Sequence, residues 1–380
     1  MNSTHAARCA RDAQPPIEKV GTSTVAVSQR TASATCVSPA DVIAYAQDDW
    51  IGLAETFAVA PEGCLEVWIS VPTEPGADGA WLTTRKGMKQ RFAKIGANVH
   101  PMPEVNFNAW NKWGESHPDV SWIERGKRAR REMEQAGYDF GKGDRWALNE
   151  NPYTLLTDPE ARVATRDFVV GLHAGSSQPA GVIYSVMHPQ NIPHGAQLVN
   201  ELREWFKQES FWKVMAEATL YWSEEAYADI RSTCQSGASS AEQITVLRGY
   251  AFHREAIAKA IATSSQSPLR KVMSRGVPLI NGAWAWADAY GFTAVPIGVM
   301  DRFIGLQVSA AARKLEGQDF LTVGFAWAPK RPDGMSQKRF SKDLGTLVTS
   351  IRDQAIEANR VGTRSTPKPC SWPGAKLQPW

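Results

Sequence analysis

The sequence predicts an α/β fold, a (β/α)8 TIM-like barrel, complete or degenerate, in a single domain. Three observations predict it. Strand-like and helix-like patterns alternate from residue 65 to residue 358. The strand-like runs are near-continuously apolar, as in parallel strands covered on both faces. No strand is followed by Gly-x-Gly-x-x-Gly or a phosphate loop, which argues against an open nucleotide-binding sheet. Six strands are legible where a closed barrel has eight, and the 380 residues leave room for a barrel of about 250 or more.

Residues 1–38 are rich in Ser, Thr, Ala and Gln and read as a disordered leader. They lack the basic, then apolar, then small-residue order of a secretory signal, and leave the compartment open. The barrel domain spans 39–360. Its entry is read as a helix, with Ser38 as cap and Pro39 in the first helical position. Leu65–Val71 is the first strand, ended by Pro72. Met88, Phe92 and Ile95 give a helix stopped by Gly96. An extended stretch then runs from Ala97 to about Ala109, with His100, Met102, Glu104 and Asn106 on one face. Trp122, Gly126, Ala129, Met133 and Ala136 mark the next helix. Its basic residues, from Arg125 to Arg131, are read as a solvated face rather than a nucleic-acid surface.

A strand at 144–150 is followed by a helix through Ala161, Ala164, Phe168 and Gly171. Val182–Met187 is the next strand. Residues 197–234 read as helical throughout, because Trp212, Met215, Thr219, Trp222 and Ala226 keep a helical stripe. A strand at Ala218–Glu225 is set aside on that ground, which leaves Glu224 and Glu225 on a solvated helix face. After a helix through Ile244 and Leu247, Val277–Trp286 reads as a strand and its exit. A helix through Met300 and Ile304, a strand at Phe320–Trp327 and a helix through Leu347 and Ile351 complete the pattern. The tail, 361–380, is Pro-, Thr- and Lys-rich and reads as unstructured.

Composition narrows the function. A net charge of +3 supplies no field for nucleic acid or acidic partners. No run of 18 apolar residues offers a membrane span. Fifteen Trp against eight Tyr is unusual, and Trp suits both thick cores and sugar-stacking sites. The five cysteines show no Cys-x-x-Cys and no disulfide framework, although Cys36 and Cys64 would pair in an exported chain, and Cys234 reads as a small packed residue. No HExxH or HxH occurs, so no metal or other cofactor is expected. His188 and His194, in one Pro-rich loop, are the nearest approach to a metal pair. Ser185 and Ser223 lack a Gly-x-Ser-x-Gly elbow.

The most informative stretch is Asp144–Pro152 (DRWALNENP). Trp146, Leu148 and Glu150 alternate with Ala147 and Asn149, and the strand runs into a proline-stopped loop. An amide beside a carboxylate at a strand end joins a hydroxyl-binding group to a proton donor. Trp-x-x-Asn-Glu closing a strand, with a proline soon after, resembles the end of the fourth strand in the large clan of (β/α)8-barrel glycoside hydrolases. Asn151 departs from the pattern by standing between the Glu and the Pro. The resemblance implies Glu150 as acid/base and Asn149 as the amide that holds a sugar 2-hydroxyl. That clan carries a second Glu after the seventh strand. Here no Glu follows VPLINGAWAW, which leaves Asp288 or Glu104 as the second carboxylate.

Other strand ends bring Asn106 and Trp110, Trp146, Tyr184 and His188, Trp284 and Trp286, and Trp327 toward the same rim. Acids, amides and aromatic faces suit a neutral polyhydroxylated ligand. The expectation is therefore glycoside hydrolysis on a carbohydrate. The alternative is a carbohydrate-binding barrel that has lost its second carboxylate.

Overall fold

A computed structural model describes residues 36, 39–45, 50–60, 63–73, 87–149, 155, 157–185, 204–224, 230–251, 268–281, 297–311, 322–326, 337–360 and 366–372. All of them belong to one compact unit, Thr35–Trp380. Eight strands are described: β1 Ala40–Tyr45, β2 Leu65–Thr73, β3 Val99–Asn106, β4 Trp146–Asn149, β5 Gly181–Ser185, β6 Thr219–Glu224, β7 Gly276–Asn281 and β8 Thr322–Ala326. Every pairing is parallel and follows chain order, and β8 pairs back onto β1.

This corrects the expectation of a regular TIM-like barrel. The sheet is a curled parallel sheet with uneven pairing, and its β1–β8 and β5–β6 joints share five registered pairs each. β1–β2 and β2–β3 share six and seven registered residue pairs. The β3–β4, β4–β5, β6–β7 and β7–β8 joints share three each. Among the described residues the apolar interior is supplied by seven strands: Ile43, Trp68, Met102, Ala147, Val182, Tyr184, Tyr221 and Val277, from β1 through β7. β8 brings Gly324 opposite Ile43 instead of a side chain. An evenly eightfold lining is therefore absent from the described residues.

Alternation along the strands sorts the rest. Ala40, Val42 and Ala44, with Leu65, Val67, Ile69 and Val71, point away from the interior into one helix-covered core. Its helices are α1 Trp50–Ala58, α2 Met88–Ile95, α8 Ser240–Ala251, α10 Ile297–Ala311 and α11 Gln337–Ala358, with the short α7 Ile230–Thr233. On the other side Val105, Trp146, Leu148, Ile183 and Trp222 pack against α3 Phe107–Glu115, α4 Trp122–Gln135, α5 Pro159–His173, α6 Glu209–Ala218 and α9 Pro268–Ser274.

The second core explains part of the tryptophan surplus. Trp205, Trp212 and Trp222 lie with ring centroids 4.9–6.2 Å apart. α4 and α5 cross so closely that a Cβ on Gly126 would fall 2.1 Å from the Phe168 carbonyl oxygen, and one on Gly171 2.2 Å from that of Ile123. Only glycines permit that approach.

The basic residues of α4 are more structural than the sequence suggests. Arg125 is buried, lies 4.4 Å from the centre of the Trp122 ring and donates to the Val120 carbonyl. Burial lowers its pKa. Arg130 donates to the Leu172 carbonyl, to Ser176 and to Glu134, tying α4 to the end of α5.

Four element assignments change. The chain enters as strand β1, not as a helix, because Asp41, Ile43 and Tyr45 alternate with Ala40, Val42 and Ala44 and pair with both β2 and β8. The helix read through 197–234 breaks at Ala218, and β6 follows at once. The extended stretch expected to reach Ala109 stops at Asn106, where α3 begins. The tail is ordered over 366–372, and Cys36, within the expected leader, is held by a disulfide to Cys64.

Candidate functional site at the carboxyl edge

Two sets of polar side chains sit inside the curled sheet, one near each end of the strands. Near the amino ends, Asp41 Oδ2 accepts from Arg145 Nη1 at 2.8 Å and from the Tyr221 hydroxyl. The Arg145 guanidinium lies 4.0 Å from the centre of the Trp68 ring and 5.4 Å from that of Tyr221. Trp68 stacks on His100, whose Nε2 pairs with Glu66 Oε2 at 2.7 Å. Here the Asp41–Arg145 ion pair lies against the Trp68 and Tyr221 rings.

Near the carboxyl ends the chemistry is different. Asn149, the last residue of β4, donates from Nδ2 to Glu104 Oε1 on β3 at 2.9 Å. Both residues are buried, at 3 % and 2 % exposure. Parallel register sets Asn106 opposite Asn149 and Glu104 opposite Ala147, so the two strands deliver the pair from adjacent levels. A carboxylate only accepts, so its contact assigns the amide orientation: nitrogen toward Glu104, oxygen away. Thr73, at the end of β2, donates through Oγ1 to the Glu104 carbonyl and fixes that level of β3. Across the interior, the Tyr184 hydroxyl on β5 and Ser70 Oγ on β2 share a hydrogen bond at 2.7 Å. β2 and β5 are not neighbours in the sheet, so this contact spans the curl.

The expected site residues divide accordingly. Glu104, Asn149 and Tyr184 face the interior near the carboxyl edge. Asn106 is used differently: its Oδ1 accepts from the Ala109 amide at 2.9 Å and caps α3. Trp146 and Trp110 are corrected from ligand-facing residues to core residues. Both are fully buried between sheet and helices, and Trp146 lies against the backbone where a Gly181 Cβ would stand 2.3 Å from its ring. Glu150, Asp288, His188, Trp284, Trp286 and Trp327 lie outside the described residues.

Sequence reasoning passed over residues at the same edge. Glu224 ends β6 in register with Ser185 and Pro278, and Asn281 ends β7 in register with Ala326. The signal for Glu224 lay in the strand at Ala218–Glu225 that the helical stripe overrode. Ser70 carried no signal beyond its place in a strand, and Thr73 lies beyond the Pro72 at which that strand was expected to end, although β2 continues to it. Among the described residues no group of three or more His, Cys, Asp or Glu is arranged to hold a metal ion.

The sequence matches no protein-family model, and no curated protein aligns with it significantly.

Proposed function

We propose that the carboxyl edge of β3 and β4 binds a carbohydrate and that the protein hydrolyses a glycosidic bond there, with Glu150 as acid/base. The observation that carries this reading is the buried Asn149–Glu104 hydrogen bond, which fixes an amide at the end of β4, one residue before Glu150 in the chain. In parallel α/β sheets, ligands bind where strands end and loops begin. Asn149, held by Glu104, would take a sugar hydroxyl. Tyr184 and Ser70, already sharing one hydrogen bond, add hydroxyls on the facing wall.

Hydrolysis proceeds through an oxocarbenium-like transition state and needs two carboxyl groups. One protonates the leaving oxygen. The other attacks the anomeric carbon from about 5–5.5 Å, or activates a water from further away. Glu104 and Asp288 are the two partners proposed for Glu150.

One observation favours the rival reading of a carbohydrate-binding protein without catalysis. The contact between Glu104 Oε1 and Asn149 gives Glu104 a role in holding the amide that needs no catalytic step. The test is hydrolysis of a panel of aryl glycosides and polysaccharides by the wild type, with Glu104→Gln and Asp288→Asn alongside. Turnover lost in one of these variants identifies the second carboxylate. No turnover, together with retained glycan binding, selects the binding reading. Neither turnover nor binding would overturn both.

A further inference from the structure

Four of the five cysteines stand as two disulfides, Cys36–Cys64 and Cys234–Cys370. Their Cα separations are 5.3 and 4.9 Å, within the range that a bridge requires without backbone movement. The pairs are 28 and 136 residues apart in the chain, so neither follows from local proximity alone. Cys234 and Cys370 are buried.

The second bridge is the centre of a docked segment. Residues 366–372 lie along α7 and α8 and are held by more than sulfur. Gln243 on α8 donates from Nε2 to the Cys370 carbonyl at 2.7 Å and accepts from the Cys370 amide at 3.0 Å. The Trp372 amide donates to the Cys234 carbonyl at 3.0 Å. Ser240 Oγ donates to the Pro367 carbonyl at 2.6 Å. Trp372 joins the same core as Ile230 and Leu247. Gln243 is itself buried, and the strap supplies both hydrogen bonds to its amide. Such a fit belongs to the native fold, since a buried amide stripped of its partners is costly.

We propose that this protein matures and works in an oxidising compartment, outside the reducing cytosol, where residues 366–372 become a covalently locked strap over α7 and α8. Structural disulfides of this kind persist where thiols are not kept reduced. Each bridge forms by exchange. One cysteine thiolate attacks a sulfur of a disulfide-bearing oxidant, protein or small molecule, which breaks the oxidant's S–S bond, forms a mixed disulfide and releases one donor thiol. The second cysteine thiolate then attacks the chain sulfur, closing the bond and releasing the other donor thiol. Two electrons pass to the donor, and its two sulfurs leave carrying the two protons that the cysteines give up. The inference stands apart from the carbohydrate reading and needs no ligand.

The experiment is thiol alkylation and mass spectrometry on the full chain, refolded in oxidised glutathione and then held in a buffer dominated by reduced glutathione. The expected result is four protected cysteines and linked peptides joining 36 to 64 and 234 to 370. Limited proteolysis is expected to spare 366–372 until dithiothreitol opens the second bridge. Other pairings, or bridges that open in the glutathione buffer with no change in melting temperature or proteolysis, would overturn the proposal. Because Cys234→Ser removes core packing together with the bond, the intact chain with and without dithiothreitol is the primary comparison.

Discussion

The two ends of the sheet interior are built on opposite principles. The amino end joins Asp41, Arg145 and Tyr221 in one contact and Glu66 and His100 in another, with Trp68 stacked between the arginine and the histidine. Asp41 and Arg145 are paired with each other, and the Arg145 guanidinium lies against the Trp68 and Tyr221 rings. The carboxyl end offers an amide, two hydroxyls and a carboxylate, which are groups that hydrogen-bond a neutral ligand. Both ends join strands that are distant in the chain, and the second carries the groups on which the proposed carbohydrate site rests. In a curled parallel sheet, polar residues at the amino end speak for stability and those at the carboxyl end for function.

The sharpest way to break this comparison is to remove one charge at the amino end. Asp41→Asn leaves the Arg145 guanidinium without its carboxylate in a largely buried place, and such losses cost about 3–5 kcal/mol. Urea unfolding should show that loss, while glycan binding by the remaining folded protein should stay unchanged. Altered binding at unaltered stability would reverse the roles assigned to the two ends.

At the carboxyl end, Glu104→Gln keeps the shape but lets either amide face the other, so the orientation of Asn149 is no longer dictated. Stability should fall by about 1–3 kcal/mol. Glycan binding or turnover should fall by more than that loss in folded fraction explains. Isothermal titration and melting curves on the same sample separate the two.

A smaller effect is expected for Tyr184→Phe, which deletes the bond to Ser70 across the interior. It should cost about 0.5–1.5 kcal/mol in unfolding measurements.

The smallest effect lies outside both ends and serves as a control. His173, at the end of α5, is pushed below its ordinary value of 6.5 by burial, helped by Arg130 and opposed by Glu217. The fold therefore prefers it neutral. Its contribution is complete above about pH 6.5 and is lost as pH falls from there toward its folded value. Melting temperatures taken between pH 7 and 5 should fall, and His173→Gln should remove part of that slope without altering ligand binding.

Much of this architecture was legible, and the failures have physical causes. The α/β class followed from apolar strand runs separated by helical stripes, and α4, α5 and the last helix lie close to where their periodicity put them. β6 was hidden because Trp212, Met215, Thr219 and Trp222 keep helical spacing across the break at Ala218. Only pairing with β5 and β7, a non-local interaction, turns Thr219–Glu224 into a strand. β1 was lost to a helix-start signature at Ser38-Pro39 for the same reason.

The candidate site was half legible. Asn149 could be singled out from the run of letters, but its partner Glu104 is 45 residues away. The Asp41–Tyr221 contact spans 180 residues and the Cys234–Cys370 bridge 136, so no local pattern announces either. Tryptophans misled in one direction: Trp110 and Trp146 look like a sugar platform in sequence and are core ballast in the fold. Asn106 carried a helix-cap signal that was overlooked because the strand was read too far.

The measurement that tests the central claim most directly is kcat/KM of wild type and Glu150→Gln on the best substrate of the glycoside panel, with Asp41→Asn as the stability control. The account predicts a fall of about 10²–10⁴ in Glu150→Gln at unchanged melting temperature, and little change per folded molecule in Asp41→Asn. Turnover that survives in Glu150→Gln would contradict it and remove Glu150 from the chemistry of the carboxyl edge.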